Sequence, residues 1–272
     1  MIKDLLALVD DGRACAPFIR DMLKTALTLE AHAEIAVLTP LPAPIFGPVA
    51  PAYLAEVALH AEARLECDRV RALVETWDAD ADVWQLHDSL PWLIDDVRRS
   101  MPIADLIVVG SKLSWARPSL RRRVLESVIL DTGTPLLLLP HGRSMPHVHH
   151  AVLGWKASPE ALGAMRAVLR LAQPGARLDL VTIGTPPAAS PSERDPATAL
   201  TRHLERHGAR VEQHWLDRDG PDADSLQDFA AGRGADLLAV GAFAHSRARE
   251  ILFGGVTRAL LDATRLPVLL AR

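Results

Sequence analysis

Apolar residues in this chain fall into short unbroken runs separated by longer segments with helical spacing. The runs at Leu5–Val9, 105–109, 135–139, 236–240 and 266–270 have strand length. They lack polar alternation, as expected of strands covered on both faces of a parallel sheet. Between them, the segment Leu54–Trp77 places Leu54, Val57, Ala58, Ala61, Leu65, Val70 and Leu73 on one helical face, and Ala197–His207 is a shorter helix of the same kind. Strands alternating with helices predict an open α/β layer joined by right-handed crossovers.

The pattern occurs twice. Ala104-Asp105-Leu106-Ile107-Val108-Val109-Gly110 returns 131 residues later as Ala235-Asp236-Leu237-Leu238-Ala239-Val240-Gly241. A strand opened by proline follows each copy, at Pro135–Leu139 and Pro267–Leu270. The run Leu5–Asp11 before the helix Ala14–Leu29 matches Ala151–Ser158 before Pro159–Leu171. Glu34–Thr39 matches Leu178–Ile183, and Asp82–Leu86 matches Ala209–Leu216. Each half therefore reads β-α-β-α-β-α-β-α-β, giving two tandem domains at 1–143 and 148–272. The segment His141–His150 is expected to be the linker, and Gly184–Pro196 a surface loop. Leu136–Leu139 and Val268–Leu270 form apolar edges that would aggregate if left open. They are expected to meet within the chain, as an intramolecular pseudo-dimer about a pseudo-two-fold axis; a homodimer is a further possibility.

Charge narrows the choice of partners. Lys+Arg 30 against Asp+Glu 34 gives a net charge of −4, which removes the general electrostatic case for nucleic acid or an anionic membrane surface. Cys15 and Cys67 are the two cysteines, with no metal or disulfide spacing, so a reduced, cytoplasmic setting is expected. No apolar run approaches the roughly 18 residues of a membrane span, and acidic residues 4, 10 and 11 interrupt any leader-like core at the start.

In an open α/β sheet, ligands bind beyond the carboxyl ends of the strands. After the fourth strand of the second half come Gly241, a loop, and then Gly254-Gly255-Val256-Thr257 at the start of a helix. Backbone amides at such a start make an anion site. Two similar halves, a strand ending Val-Gly, and a glycine cluster thirteen residues on resemble the universal stress protein family in its tandem form. That family's loop reads Gly-x-x-Gly-(nine residues)-Gly-Ser/Thr, with an Asp closing the first strand. The resemblance implies a five-stranded parallel sheet per domain, a role in stress response, and ATP or another adenine nucleotide with accompanying Mg. No other metal is implied. Carried over, Gly241 and Gly254 are the first and third glycines, while Ala244 replaces the second and Gly255 the Ser/Thr. His245 lies within this loop, and Val256 and Thr257 continue the phosphate cradle. Trp155, Lys156, Ala157 and Ile183 would line base and ribose, with Lys156 in the place of the Asp. The first half keeps Asp10 and Gly110 but has Leu113, Arg123 and Val124 where the loop needs small residues. The second half is thus the expected nucleotide site.

Other features take plainer readings. His141, His147, His149 and His150 are read as linker rather than metal ligands, so replacing the last three is expected to leave stability unchanged. Arg121-Arg122-Arg123 is read as a solvated helix start, and Cys15 as core. Asp95 and Asp96 are adjacent and face different sides of a helix, and Ser246 beside His245 lacks a nucleophile elbow. The expectation is a binding protein, not an enzyme. The alternative is a nucleotide-free regulatory module that binds a partner protein. Slow ATP hydrolysis lacks an identifiable general base.

Overall fold

A computed structural model describes residues 2–10, 13–41, 50–100, 103–184, 195–242 and 255–272, with the side chains of 50–58 and 100 left aside. In the first half, β1 (Asp4–Val9), β2 (His32–Leu41), β3 (Ala81–Ser89), β4 (Leu106–Gly110) and β5 (Leu136–Leu139) alternate with α1 (Ala16–Leu29), α2 (Ala50–Val74), α3 (Leu90–Ser100) and α4 (Pro118–Asp131). The second half repeats this with β6 (Val148–Gly154), β7 (Ala172–Ile183), β8 (Arg210–Leu216), β9 (Leu237–Gly241) and β10 (Val268–Ala271). Its helices are α5 (Pro159–Leu171), α6 (Pro196–Arg206), α7 (Asp222–Gly232) and α8 (Gly255–Asp262).

Proline opens α1, α4, α5 and α6, where its fixed φ suits the first turn and its missing N–H is not needed. Ser158 and Asp195 add side-chain caps, accepting from Ala161 N at 3.2 Å and Thr198 N at 3.0 Å.

The strands form one sheet in the order β3-β2-β1-β4-β5-β10-β9-β6-β7-β8. Every pairing is parallel except the central one, where Leu136, Leu137 and Leu138 run antiparallel to Leu270, Leu269 and Val268. The order is a palindrome about that seam, so the two halves meet edge to edge. One apolar layer, with Phe18, Ile19, Val70, Met165 and Leu200, lies under α1, α2, α5 and α6. The other, with Leu93, Val124, Leu226 and Leu260, lies under α3, α4, α7 and α8.

Two readings of the sequence need correction. His141–His150 is not a slack linker: strand β6 begins at Val148, and Met145, fully buried, donates its N–H to Thr25 Oγ1 at 3.0 Å. Arg121 is not solvated. It is 5% exposed, and its guanidinium donates to two backbone carbonyls, Gly110 O at 2.9 Å and Leu261 O at 2.7 Å. Burial lowers its pKa to about 10, against the opposing pull of Asp262.

Candidate functional site: the carboxyl ends of the two inner strand pairs

The switch in strand order falls between β1 and β4 in the first half and between β6 and β9 in the second. Register fixes which residues correspond. Leu8 pairs with Val109 as Gly154 pairs with Val240, so Asp10 and Lys156 occupy equivalent positions two residues further on.

In the first half this position is filled from within. Asp10 is 1% exposed, and its carboxylate accepts from Ala116 N at 3.0 Å and Arg117 N at 2.7 Å. Arg117 caps the N-terminus of α4, and its own guanidinium donates to Asp10 O at 3.2 Å. A carboxylate thus sits against the backbone amides that enter α4, which is where a helix N-terminus favours an anion. The chain between Gly110 and α4 forms a 3-10 turn at Lys112–Ser114, with Trp115 buried behind it. Gly110 itself has a packing reason: a Cβ there would stand 2.8 Å from the Phe18 ring and from Ser114 Oγ.

The second half differs at the same place. Lys156 is exposed and carries no acceptor, so it cannot repeat what Asp10 does. Among the described residues α8 begins at Gly255, where nothing lies within 4 Å of an added Cβ. Val256 follows, and Thr257 turns a buried side chain inward, 1% exposed. Gly241 closes β9 against α5, where a Cβ would lie 2.6 Å from Ala161 N. Ala244, His245 and Gly254 lie outside the described residues. Trp155 and Ala157 come together at a groove of about 570 Å³ between α5 and α6, walled by Leu162, Met165, Leu200 and His203. Ile183 packs instead against the opposite apolar layer, under α7 and α8. Among the described residues, the second half has a cation rather than a carboxylate in the place of Asp10 and an uncrowded glycine in α8, which suits an anionic group.

One cluster escaped the reading of the sequence. Asp179, fully buried in β7, accepts from His150 Nε2 at 2.9 Å, Arg177 Nε at 3.1 Å and Arg233 Nε at 3.1 Å. Both arginines also donate to Glu212 Oε2 at 2.8 Å. His214 Nε2 lies 3.3 Å from Asp179 Oδ1, at an angle that makes no hydrogen bond. Asp179, Glu212 and His214 are close enough to share a cation. Two guanidiniums already neutralise the two carboxylates, however, and the group is an ion-pair clamp across β6, β7, β8 and α7. The reading of His150 as linker is corrected by this contact. The signal was a lone Asp inside the run Leu178-Asp179-Leu180-Val181, because a charge on a buried strand requires partners.

Comparison with known proteins agrees with the fold. Residues 147–272 match the model of the universal stress protein family. A universal stress protein from Archaeoglobus fulgidus DSM 4304 superposes with a TM-score of 0.65 at 13% identity, over 98% of this chain and 96% of that one. A putative universal stress protein from Pseudomonas aeruginosa UCBPP-PA14 gives 0.53 at 15% identity, over 99% and 93%. The cytoplasmic domain of a prokaryotic cation chloride cotransporter gives 0.51 at 13% identity, over 100% and 95%. At these identities the likeness is one of fold. No curated protein matches the chain. Among the described residues, no helix is long and apolar enough to cross a membrane.

Proposed function

Residues 147–272 belong to the universal stress protein family, and from that premise we propose that the protein is a stress-response protein that binds one adenine nucleotide, in its second half. The observation that supports this most is the exchange of Asp10 for Lys156 between equivalent strand ends. In the first half the Asp10 carboxylate accepts from the amides of Ala116 and Arg117, just ahead of α4, and an external anion would have to displace it there. In the second half a lysine stands in that position, and the described part of α8 begins on a glycine where nothing lies within 4 Å of an added Cβ. Backbone amides at Gly255, Val256 and Thr257 would receive phosphate oxygens, Mg would accompany the nucleotide, and Lys156 would add a point charge. The groove beginning at Trp155 and Ala157 would take the base. The reading assigns binding rather than catalysis.

The test is direct. Protein purified without added nucleotide is denatured, and the supernatant is examined by mass analysis. The expected result is an adenine nucleotide at no more than one equivalent per chain. Absence of nucleotide, together with no response to added ATP in calorimetry, would favour a nucleotide-free module that binds a partner protein.

A further inference from the structure

The helix that carries the proposed phosphate site is held at its other end by the opposite half. Arg121, on α4, reaches across the seam and donates Nη1 to Leu261 O in the last turn of α8, at 2.7 Å, while its Nε holds Gly110 O at 2.9 Å. Lys112 Nζ, also from the first half, lies 2.8 Å from Asp262 Oδ1 at the last residue of α8. The arrangement is reciprocal. Arg272, which follows β10 in the second half, donates Nη1 to Leu130 O in the last turn of α4, at 2.6 Å. Leu130 and Leu261 are equivalent, each being the penultimate residue of its helix. Each helix therefore has a C-terminal carbonyl capped by an arginine of the other half, where a cation complements the negative end of the helix dipole. A buried guanidinium bridging two carbonyls fixes position more tightly than a surface ion pair, because neither acceptor has water to fall back on.

We propose that Arg121 is a positioning residue for the second half's anion site, through which the first half, with its own site closed by Asp10, sets the order of α8. The closed half thus acts as a clamp on the open one. This rests on the nucleotide reading for its consequence in affinity, but the clamp itself is measurable without ligand. Its direction is fixed: the bond falls on the last turn of α8 (Gly255–Asp262), so its loss loosens that turn first and the described turn before it next.

The experiment uses the full chain with Arg121→Met, which keeps length and helix propensity but removes every donor. Amide hydrogen exchange is followed over α8, with β6 and β9 as internal references. Exchange across α8 is expected to rise about tenfold or more, the scale of a lost hydrogen bond from a charged donor, with little change at β6. Arg272→Met, which removes an exposed bond, should raise exchange less, at the last turn of α4, and spare α8. Arg121→Lys, which keeps the charge but not the planar fork that spans two carbonyls, should restore protection in part, and it carries the test if the Met variant does not fold. ATP titration of the same proteins should show affinity falling as α8 protection falls. Unchanged α8 exchange in Arg121→Met, or equal loss at β6 and α8, would overturn the clamp. A wild type that binds no ATP while α8 responds to Arg121→Met would overturn the nucleotide reading and leave the clamp standing.

Discussion

A carboxylate at the centre of a covered strand is tolerable only if positive partners reach it, and Asp179 has two arginines and a histidine within hydrogen-bond distance. Removing it leaves Arg177 and Arg233 facing each other with only Glu212 between them. Asp179→Ala is therefore expected to cost about 3 kcal/mol in urea unfolding, the range for breaking a buried pair. A loss below about 1 kcal/mol would show that solvent reaches the arginines well enough to replace the carboxylate. The histidines near this clamp illustrate what local sequence conceals. His147, His149 and His150 look like a polar linker, yet the register of β6 places His150 beside Arg177, next to Asp179, and leaves His149 exposed. Asp10 is similar: its acidity was visible in the chain, but its partners are backbone amides more than a hundred residues away.

Elements were the more legible scale. The unbroken apolar runs, the Val-Gly strand ends and the prolines ahead of helices each have a local physical cause, and strands and helices stand close to where those signals place them. The repeated Ala-Asp-Leu has its reason in the sheet. Asp105 accepts from Lys3 N at 2.8 Å and Asp4 N at 3.3 Å, and Asp236 accepts from His149 N and His150 N at 2.9 Å each. Each aspartate thereby clips the start of the fourth strand of its half to the start of the first. Burial raises the Asp105 pKa, but the bonds from Lys3, Arg170 and Asp4 outweigh it and hold the carboxyl below its ordinary 3.8. A lowered folded-state pKa gives stability that is present above the unfolded value and lost as pH falls through the folded one. Asp105→Asn should be less stable than the wild type at pH 7, with the gap closing as pH drops below 3.8. Urea midpoints across that range check it, and a gap that stays constant would contradict the assignment. Arg121 marks where element-scale reading stops, since its burial depends on a helix of the other half.

At the scale of the whole molecule, the two halves share one sheet through β5 and β10, where Leu137 faces Leu269 and both are fully buried. Leu137→Ala should cost about 2–5 kcal/mol. The amides of β9 and β10 should lose protection along with those of β4, and loss confined to the first half would mean that the seam does not couple them. The family resemblance and the asymmetry between halves could both be drawn from the repeat and the glycine loop, but what Asp10 touches needed the structure, because its partners come from a distant segment. The most direct measurement of that asymmetry is calorimetric titration of MgATP against the wild type, Asp10→Asn and Lys156→Glu. The account predicts a single equivalent, with a dissociation constant on the order of micromolar to millimolar, retained in Asp10→Asn and lost in Lys156→Glu. Two equivalents per chain, or binding lost in Asp10→Asn and kept in Lys156→Glu, would contradict it.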